Sequence, residues 1–170
     1  MYSIGSYVVK NVNGICKVED IVYLDTEDGS KKQYYLLKPA DEPTGTVYVP
    51  VDHAEKTTRR VMTEEEVWKL IDHIGEIDEI WIDNEKQREM RYKEAIRSRD
   101  PKVLVGIIKM LFLRRQERLE QGKKSTATDD KFFKLAEEYL HSEIGFVLNM
   151  DKGQVRQLIT DSVQGRLQKA

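Results

Sequence analysis

The spacing of apolar residues changes once along the chain, near residues 56–63, and this change constrains the fold more than any other feature. Before it, short runs of β-branched and aromatic residues alternate with turn sequences, a pattern typical of strands. After it, apolar residues recur every three or four positions, which predicts amphipathic helices. A chain of 170 residues can hold one ordinary domain or two small ones. We therefore predict an α+β protein with a β domain over 1–58 and an all-α domain over 63–165.

Four short strands are predicted in the first domain, over 6–10, 15–23, 33–38 and 46–51, and residues 59–62 form either a fifth strand or a linker. Asn13-Gly14 is typical of a two-residue hairpin turn. Short strands at this spacing imply a small, strongly bent sheet or barrel.

Alternation within the strands makes specific predictions about faces. It places Ile15, and with it Ile21 and Tyr23, on one face of the second strand. The adjacent Tyr34 and Tyr35 must point to opposite faces, so one of the two is expected to face outward.

Capping residues predict where the helices begin and end. Thr63 with Glu66 resembles a capping box, and Gly75 should end that first helix. Thr128 is expected to cap a later helix, and residues 164–170 are expected to fray. The remaining predicted boundaries are a helix start at Asp100-Pro101, a helix end at residues 121–125, and a second capping box at Asp151 and Gln154.

Residues 84–124 are the most distinctive stretch, because they combine an apolar seam with a cationic exterior. The seam runs through two helices broken at Asp100-Pro101 and includes Met90 and Phe112. Such a surface suits a polyanion, although many solvated helical hairpins carry similar charge, and charge alone favours the solvated hairpin. The net charge of -2 hides an asymmetry that supports the polyanion. Residues 1–82 carry 9 Lys and Arg against 16 Asp and Glu, and residues 83–170 carry 19 against 14.

Signs of catalysis are missing from the sequence. The three histidines lack metal-ligand spacing, and no glycine-rich phosphate loop is present. Cys16, the single cysteine, excludes an internal disulfide, and its position in a strand favours a small buried hydrophobe over a nucleophile. We therefore expect a protein that is not an enzyme and has no cofactor and no metal. We also expect a cytoplasmic protein, because no apolar run or leader suggests a membrane or secretion, and a monomer.

Several short motifs, taken in their order along the chain, resemble those of the CarD/CdnL-like bacterial transcription regulators, whose N-terminal domain is shared with the transcription-repair coupling factor. The resemblance spans residues 1 to about 160, and its order and spacing are more specific than any single motif. The N-terminal motifs are IGSYVV at 4–9, NGI at 13–15, Ile21, KQYYLLK at 32–38 and VYVPV at 47–51. The C-terminal motifs are RYKE at 91–94, LFL at 111–113, RRQER at 114–118 and FKLA at 133–136.

The resemblance implies an N-terminal Tudor-like barrel that binds the β subunit of bacterial RNA polymerase. The implied polymerase-binding residues are Leu24, Tyr35, Tyr48 and Pro50. Leu24 and Tyr48 occupy positions where other members have basic contacts, so this surface is less cationic here.

The resemblance also implies that the helical domain contacts promoter DNA at the upstream edge of the transcription bubble, largely without regard to sequence, and stabilises the open complex. The implied DNA-binding residues are Arg88, Arg91, Lys93, Arg114, Arg115 and Arg118. Relatives place a minor-groove Trp four residues before the Tyr that matches Tyr92, and here that position is Arg88. Trp81 lies two helical turns earlier.

Two alternatives remain for the helical domain and the chain. The domain could bind another protein in place of DNA, which would make the chain an adaptor, and a Cys16-dependent enzyme is a remote third option. The acidic neighbours of Trp81 would repel phosphate, which favours a packing role for this residue over an exposed wedge.

Overall fold

A computed structural model describes residues 1–42 and 44–162 in full and the backbone of the final helix to Lys169. The prediction that residues 164–170 fray falls outside the fully described part. The chain divides into two compact units between Val61 and Met62. The first unit is a sheet and the second is helical, which confirms the α+β class.

The N-terminal unit is a five-stranded antiparallel sheet in the order β4-β3-β2-β1-β5. Its strands are β1 Tyr7–Lys10, β2 Gly14–Asp25, β3 Lys31–Pro39, β4 Val47–Pro50 and β5 Thr58–Arg60. The hydrogen-bonded sheet is open, with β4 and β5 at its edges, so the Tudor-like barrel stays a prediction. The core of the unit consists of Val8, Cys16, Val18, Tyr35, Leu37, Val49 and Ala54.

Two irregularities of β2 differ from the sequence prediction. The β1–β2 hairpin has three loop residues, because Lys10 pairs with Gly14 at φ 77°, so the two-residue turn is wrong. Further along, Val18 pairs with Leu37 and Asp20 with Leu36, which leaves Glu19 as an extra residue in a β-bulge.

The bulge exchanges the two faces of β2. Cys16 and Val18 are buried before it, and Ile21, opposite the buried Tyr35, packs against the same core after it. Ile15 therefore lies on the opposite face from Ile21, and the prediction of one shared face is wrong.

The C-terminal unit consists of five helices around one core. They are α1 Glu64–Asp72, α2 Arg88–Ser98, α3 Pro101–Glu120, α4 Ala127–Leu148 and α5 Lys152–Lys169. The side chains that form the centre of this core include Val67, Ile71, Tyr92, Ile96, Leu104, Ile107, Leu111, Phe132, Ala136, Ile144 and Val155. Met90 and Phe112, predicted for the apolar seam, are instead half exposed.

Most predicted helix starts are confirmed by their hydrogen bonds. The Thr63 hydroxyl accepts from the Glu66 amide at 3.1 Å, and the Asp100 carboxylate accepts from the Lys102 amide at 2.9 Å. Asp151 and Gln154 cap each other's amides at 2.8 and 2.9 Å, as a capping box requires.

Two predicted boundaries are wrong. The first helix ends at Asp72, three residues before Gly75, and Thr126 caps α4 where Thr128 was expected. The hydroxyl of Thr126 accepts from the Asp129 amide at 3.0 Å. Both threonines precede the same apolar run, so spacing alone did not separate them.

Candidate functional site

One face of the sheet carries an exposed apolar surface. Beyond the bulge, alternate residues of β2, β3 and β4 lie side by side on the face opposite the core. We call this surface the outer face, and it consists of Asp20, Val22, Leu24, Lys32, Tyr34, Leu36, Tyr48 and Pro50. Tyr48 is 51% exposed and Leu24 is 37% exposed, while Tyr34, Leu36 and Pro50 are half-buried. Tyrosine and aliphatic side chains exposed together are typical of protein-binding surfaces.

Three of the four predicted polymerase-binding residues lie on the outer face, namely Leu24, Tyr48 and Pro50. Tyr35 lies on the opposite face and is only 2% exposed. Its hydroxyl accepts from the Tyr2 amide at 2.9 Å, and the two rings lie 5.3 Å apart. A side chain enclosed in this way cannot contact a partner directly, so Tyr35 supports the sheet and Tyr34 takes the outward position. Regular alternation along β3, with Tyr35 and Leu37 both buried, gives this assignment, whereas alternation in the sequence does not say which of the two faces is the core.

The predicted DNA-binding residues fall into two groups. Arg91, Lys93 and Arg115 have exposed side chains, and Lys93 lies 3.5 Å from Glu89 one helical turn away. Such exposed cations can reach a phosphate at little cost. Arg118 is half-buried, and its Nε donates to the Lys124 carbonyl at 2.9 Å, where it helps close the turn after α3.

Arg88 and Arg114 belong to a closed ring of hydrogen bonds inside the helical unit. The Glu85 carboxylate contacts Nη2 of Arg88 at 2.9 Å and Nη1 of Arg114 at 3.2 Å. Arg88 Nη1 donates to the Tyr92 hydroxyl at 3.1 Å, and that hydroxyl donates to Asp129 at 2.8 Å. Nε of Arg114 donates to the other oxygen of Asp129 at 2.6 Å, which completes the ring. We call these five residues the polar ring.

The polar ring contains two cations and two carboxylates, so its members neutralise one another. Hydrogen bonds from Arg88 lower the pKa of Glu85, which keeps that carboxylate charged. Burial, followed by the hydrogen bond to Asp129, raises the pKa of Tyr92 to about 12, so the phenol stays protonated. The ring joins α2, α3 and the start of α4. Arg88 and Arg114 are therefore engaged in hydrogen bonds and ion pairs within the helical unit, in contrast to the exposed Arg91, Lys93 and Arg115.

The segment before α2 holds an exposed tryptophan. Ile80 and Ile82 pack against the helical core, while Trp81 between them is 71% exposed. The prediction that Trp81 is a packing residue is therefore wrong. Alternation in an extended segment turns it away from the core that its two neighbours fill.

The remaining chemistry of the described residues is limited. Cys16 is fully buried in the sheet core, as its strand position predicted. Among residues 1–42 and 44–162, no three His, Cys, Asp or Glu side chains lie close enough to hold a metal ion. None of the helices in the described part of the chain combines the length and apolar character that crossing a bilayer requires.

Residues 2–62 match the protein family described as the CarD-like/TRCF RID domain. The match covers the whole N-terminal sheet, about a third of the chain, and confirms the resemblance of that domain. No curated protein matches the chain.

Proposed function

We propose that the chain is a non-catalytic transcription regulator, because residues 2–62 match the CarD-like/TRCF RID domain, a kind of domain with an RNA polymerase-interacting role in transcription. The outer face would bind the β subunit of bacterial RNA polymerase, and the helical unit would bind promoter DNA at the upstream edge of the bubble. The chain would thereby stabilise the open complex.

The family match is the observation that carries the polymerase-binding part of this proposal. The outer face supports it, because it brings Leu24, Tyr48 and Pro50 together with the aromatic ring of Tyr34. Aromatic side chains at the centre of an interface supply much of its binding energy. A surface with few cations should bind mainly through apolar contact, so its affinity should depend only weakly on salt.

Exposed cations on the helices support the DNA-binding part. Arg91, Lys93 and Arg115 are accessible, and phosphate contacts from such residues hold DNA without reading its sequence. A protein stabilises the open complex only if it binds melted promoter DNA more tightly than closed DNA. We expect this preference to come from the exposed cations, since Arg88 is hydrogen-bonded within the polar ring.

Retention of RNA polymerase on the immobilised full-length chain tests the proposal. The double variant Leu24→Ala/Tyr48→Ala removes exposed side chains of the outer face and should weaken retention roughly 10- to 100-fold, as loss of hot-spot residues does. Tyr23→Ala is the matched control, because Tyr23 is 65% exposed but lies on the other face of the sheet. Equal retention by all three proteins would contradict the proposed surface.

The adaptor hypothesis stays open for the helical unit, because two of the six predicted DNA-binding residues, Arg88 and Arg114, have carboxylate partners in the polar ring. Binding of polymerase without any binding of forked promoter DNA would favour it.

A further inference from the structure

The exposed tryptophan is flanked in the sequence by three carboxylates. We call Asp78, Glu79, Trp81 and Asp83 the acidic tryptophan segment. Asp78 and Asp83 are exposed, and Glu79 is half-exposed. None of the three carboxylates forms an ion pair within the fully described residues, in contrast to Glu85 in the polar ring. The segment therefore presents an exposed aromatic side chain with three carboxylates beside it in the sequence, none of them in an ion pair with a side chain of the fully described residues.

Hydrogen bonds on both sides of Trp81 hold this segment in place. Nζ of Lys109 donates to the Ile77 carbonyl at 2.6 Å, and the Ile80 amide donates to the Gly106 carbonyl at 3.4 Å. Beyond the tryptophan, Arg88 Nη2 donates to the Ile82 carbonyl at 2.9 Å.

Gly106 allows the segment to approach α3 closely. A Cβ atom at this position would lie 2.9 Å from the Asp78 carbonyl oxygen and 3.0 Å from Cγ1 of Ile80. Because the backbone is anchored before any partner arrives, binding need not order it, and this lowers the entropic cost of association.

The chemistry of the segment selects its partner. Carboxylates close to Trp81 in the sequence repel phosphate, so the segment disfavours a nucleic-acid backbone. An arginine side chain satisfies both features, because its guanidinium pairs with carboxylates and stacks on an indole face. Tryptophan and arginine are also the residues most enriched at the centres of protein interfaces.

We propose that the acidic tryptophan segment is a docking site for an arginine-rich segment of a partner protein. The site shares no residue with the outer face or with the exposed cations of the helices, and the proposal does not depend on polymerase or DNA binding.

A quenching experiment on the full-length chain tests this site. Trp68→Phe leaves Trp81 as the only tryptophan, and acrylamide quenching of its fluorescence then reports its exposure. A peptide of ten arginines should lower the quenching constant about two- to threefold, since Trp81 begins largely exposed. A peptide of ten lysines should need a several-fold higher concentration to give the same protection from quenching, because an ammonium group stacks less well than a guanidinium.

Two matched variants separate this site from general attraction between charges. Asp78→Asn/Glu79→Gln/Asp83→Asn should abolish the protection of Trp81. Glu94→Gln/Glu117→Gln/Glu120→Gln removes three exposed carboxylates elsewhere and should preserve it. In an unmodified background, Trp81→Ala should weaken binding of labelled arginine peptide roughly two- to fivefold by fluorescence polarisation.

Several outcomes would overturn the proposal. Equal protection of Trp81 by the lysine and arginine peptides, or equal loss of protection in both triple variants, would mean that net charge alone explains the protection. Protection of Trp81 by forked duplex DNA would identify a nucleic-acid contact. Protection that grows with protein concentration alone would identify a second copy of the chain as the occupant.

Discussion

At the scale of single residues, Arg114 and Arg115 show how helix geometry assigns two roles to one side-chain type. Arg114 is turned toward Asp129, whose side chain is 7% exposed, and Arg115 faces solvent. Removing the partner of a buried carboxylate is far more costly than removing an exposed charge, because the remaining ion has lost both water and its counter-charge.

We expect Arg114→Ala to lower the free energy of unfolding by about 2–4 kcal/mol. Arg115→Ala should change it by less than about 0.5 kcal/mol and should instead weaken DNA binding. Urea denaturation followed by helical circular dichroism measures the first effect. If the two variants are equally stable, the polar ring does not hold the helices together.

His141 provides a second prediction at this scale. Burial, followed by the charges of Arg156 and Lys152, lowers its pKa below the ordinary 6.5. Between that folded-state value and 6.5 the unfolded chain binds a proton that the folded chain does not, so stability must fall as the pH drops through this window.

The urea midpoint of the wild-type protein should therefore decrease from about pH 8 to about pH 5.5, and His141→Gln should show a smaller decrease. A variant that keeps the full pH dependence would assign it to other groups.

At the scale of elements, the position of the acidic tryptophan segment depends on its close contact with α3 at Gly106. An alanine within a helix is normally more favourable than a glycine by about 1 kcal/mol. At Gly106 we expect alanine to be less favourable than glycine, because a methyl group would collide with the backbone of Asp78.

We expect Gly106→Ala to destabilise the chain by about 1–3 kcal/mol, in the range of overpacked sites. It should also speed hydrogen exchange at the Ile80 amide, which donates to the Gly106 carbonyl. Gln116→Ala, at an exposed position of the same helix, is the control. It should neither destabilise the chain nor speed exchange at the Ile80 amide. A stabilised Gly106→Ala would mean that the segment moves away from α3 freely.

Element types followed from the sequence, but the contacts between elements did not. Alternation and capping chemistry located the strands and most helix starts, because these signals lie within a few residues of one another. The polar ring joins Glu85 to Asp129 across 44 positions, and sequence spacing carries no signal for such a pairing. For this reason the sequence alone could not distinguish Arg88 and Arg114 from the exposed cations of the helices.

At the scale of the whole molecule, charge is divided along the chain. The acidic first half carries the outer face, and the basic second half carries the exposed cations. This division predicts opposite responses to salt. Polymerase binding through an apolar face should change little with ionic strength, whereas DNA binding through phosphates should weaken steeply.

We expect Arg91→Ala/Lys93→Ala/Arg115→Ala to reduce the slope of log affinity against log salt by roughly 2–3 for forked promoter DNA, since each phosphate contact contributes about 0.9. Lys31→Ala/Lys56→Ala/Lys134→Ala changes the net charge equally at exposed positions elsewhere and should leave the slope nearly unchanged. An equal reduction in both variants would point to the overall field of the protein in place of local contacts.

The extra residue at Glu19 shifts the alternation of inward and outward side chains along β2 by one position. Upstream of it, even-numbered residues of β2 face the core, and downstream the odd-numbered ones do. If Glu19 instead paired with Leu36 in a regular ladder without the bulge, the hydrogen bonds of the strand could still form, yet inside and outside would be exchanged for every residue up to Asp25. Leu24 and Val22 would then be lost from the outer face. The bulge at this one residue therefore determines which side chains of β2 the sheet presents to a partner.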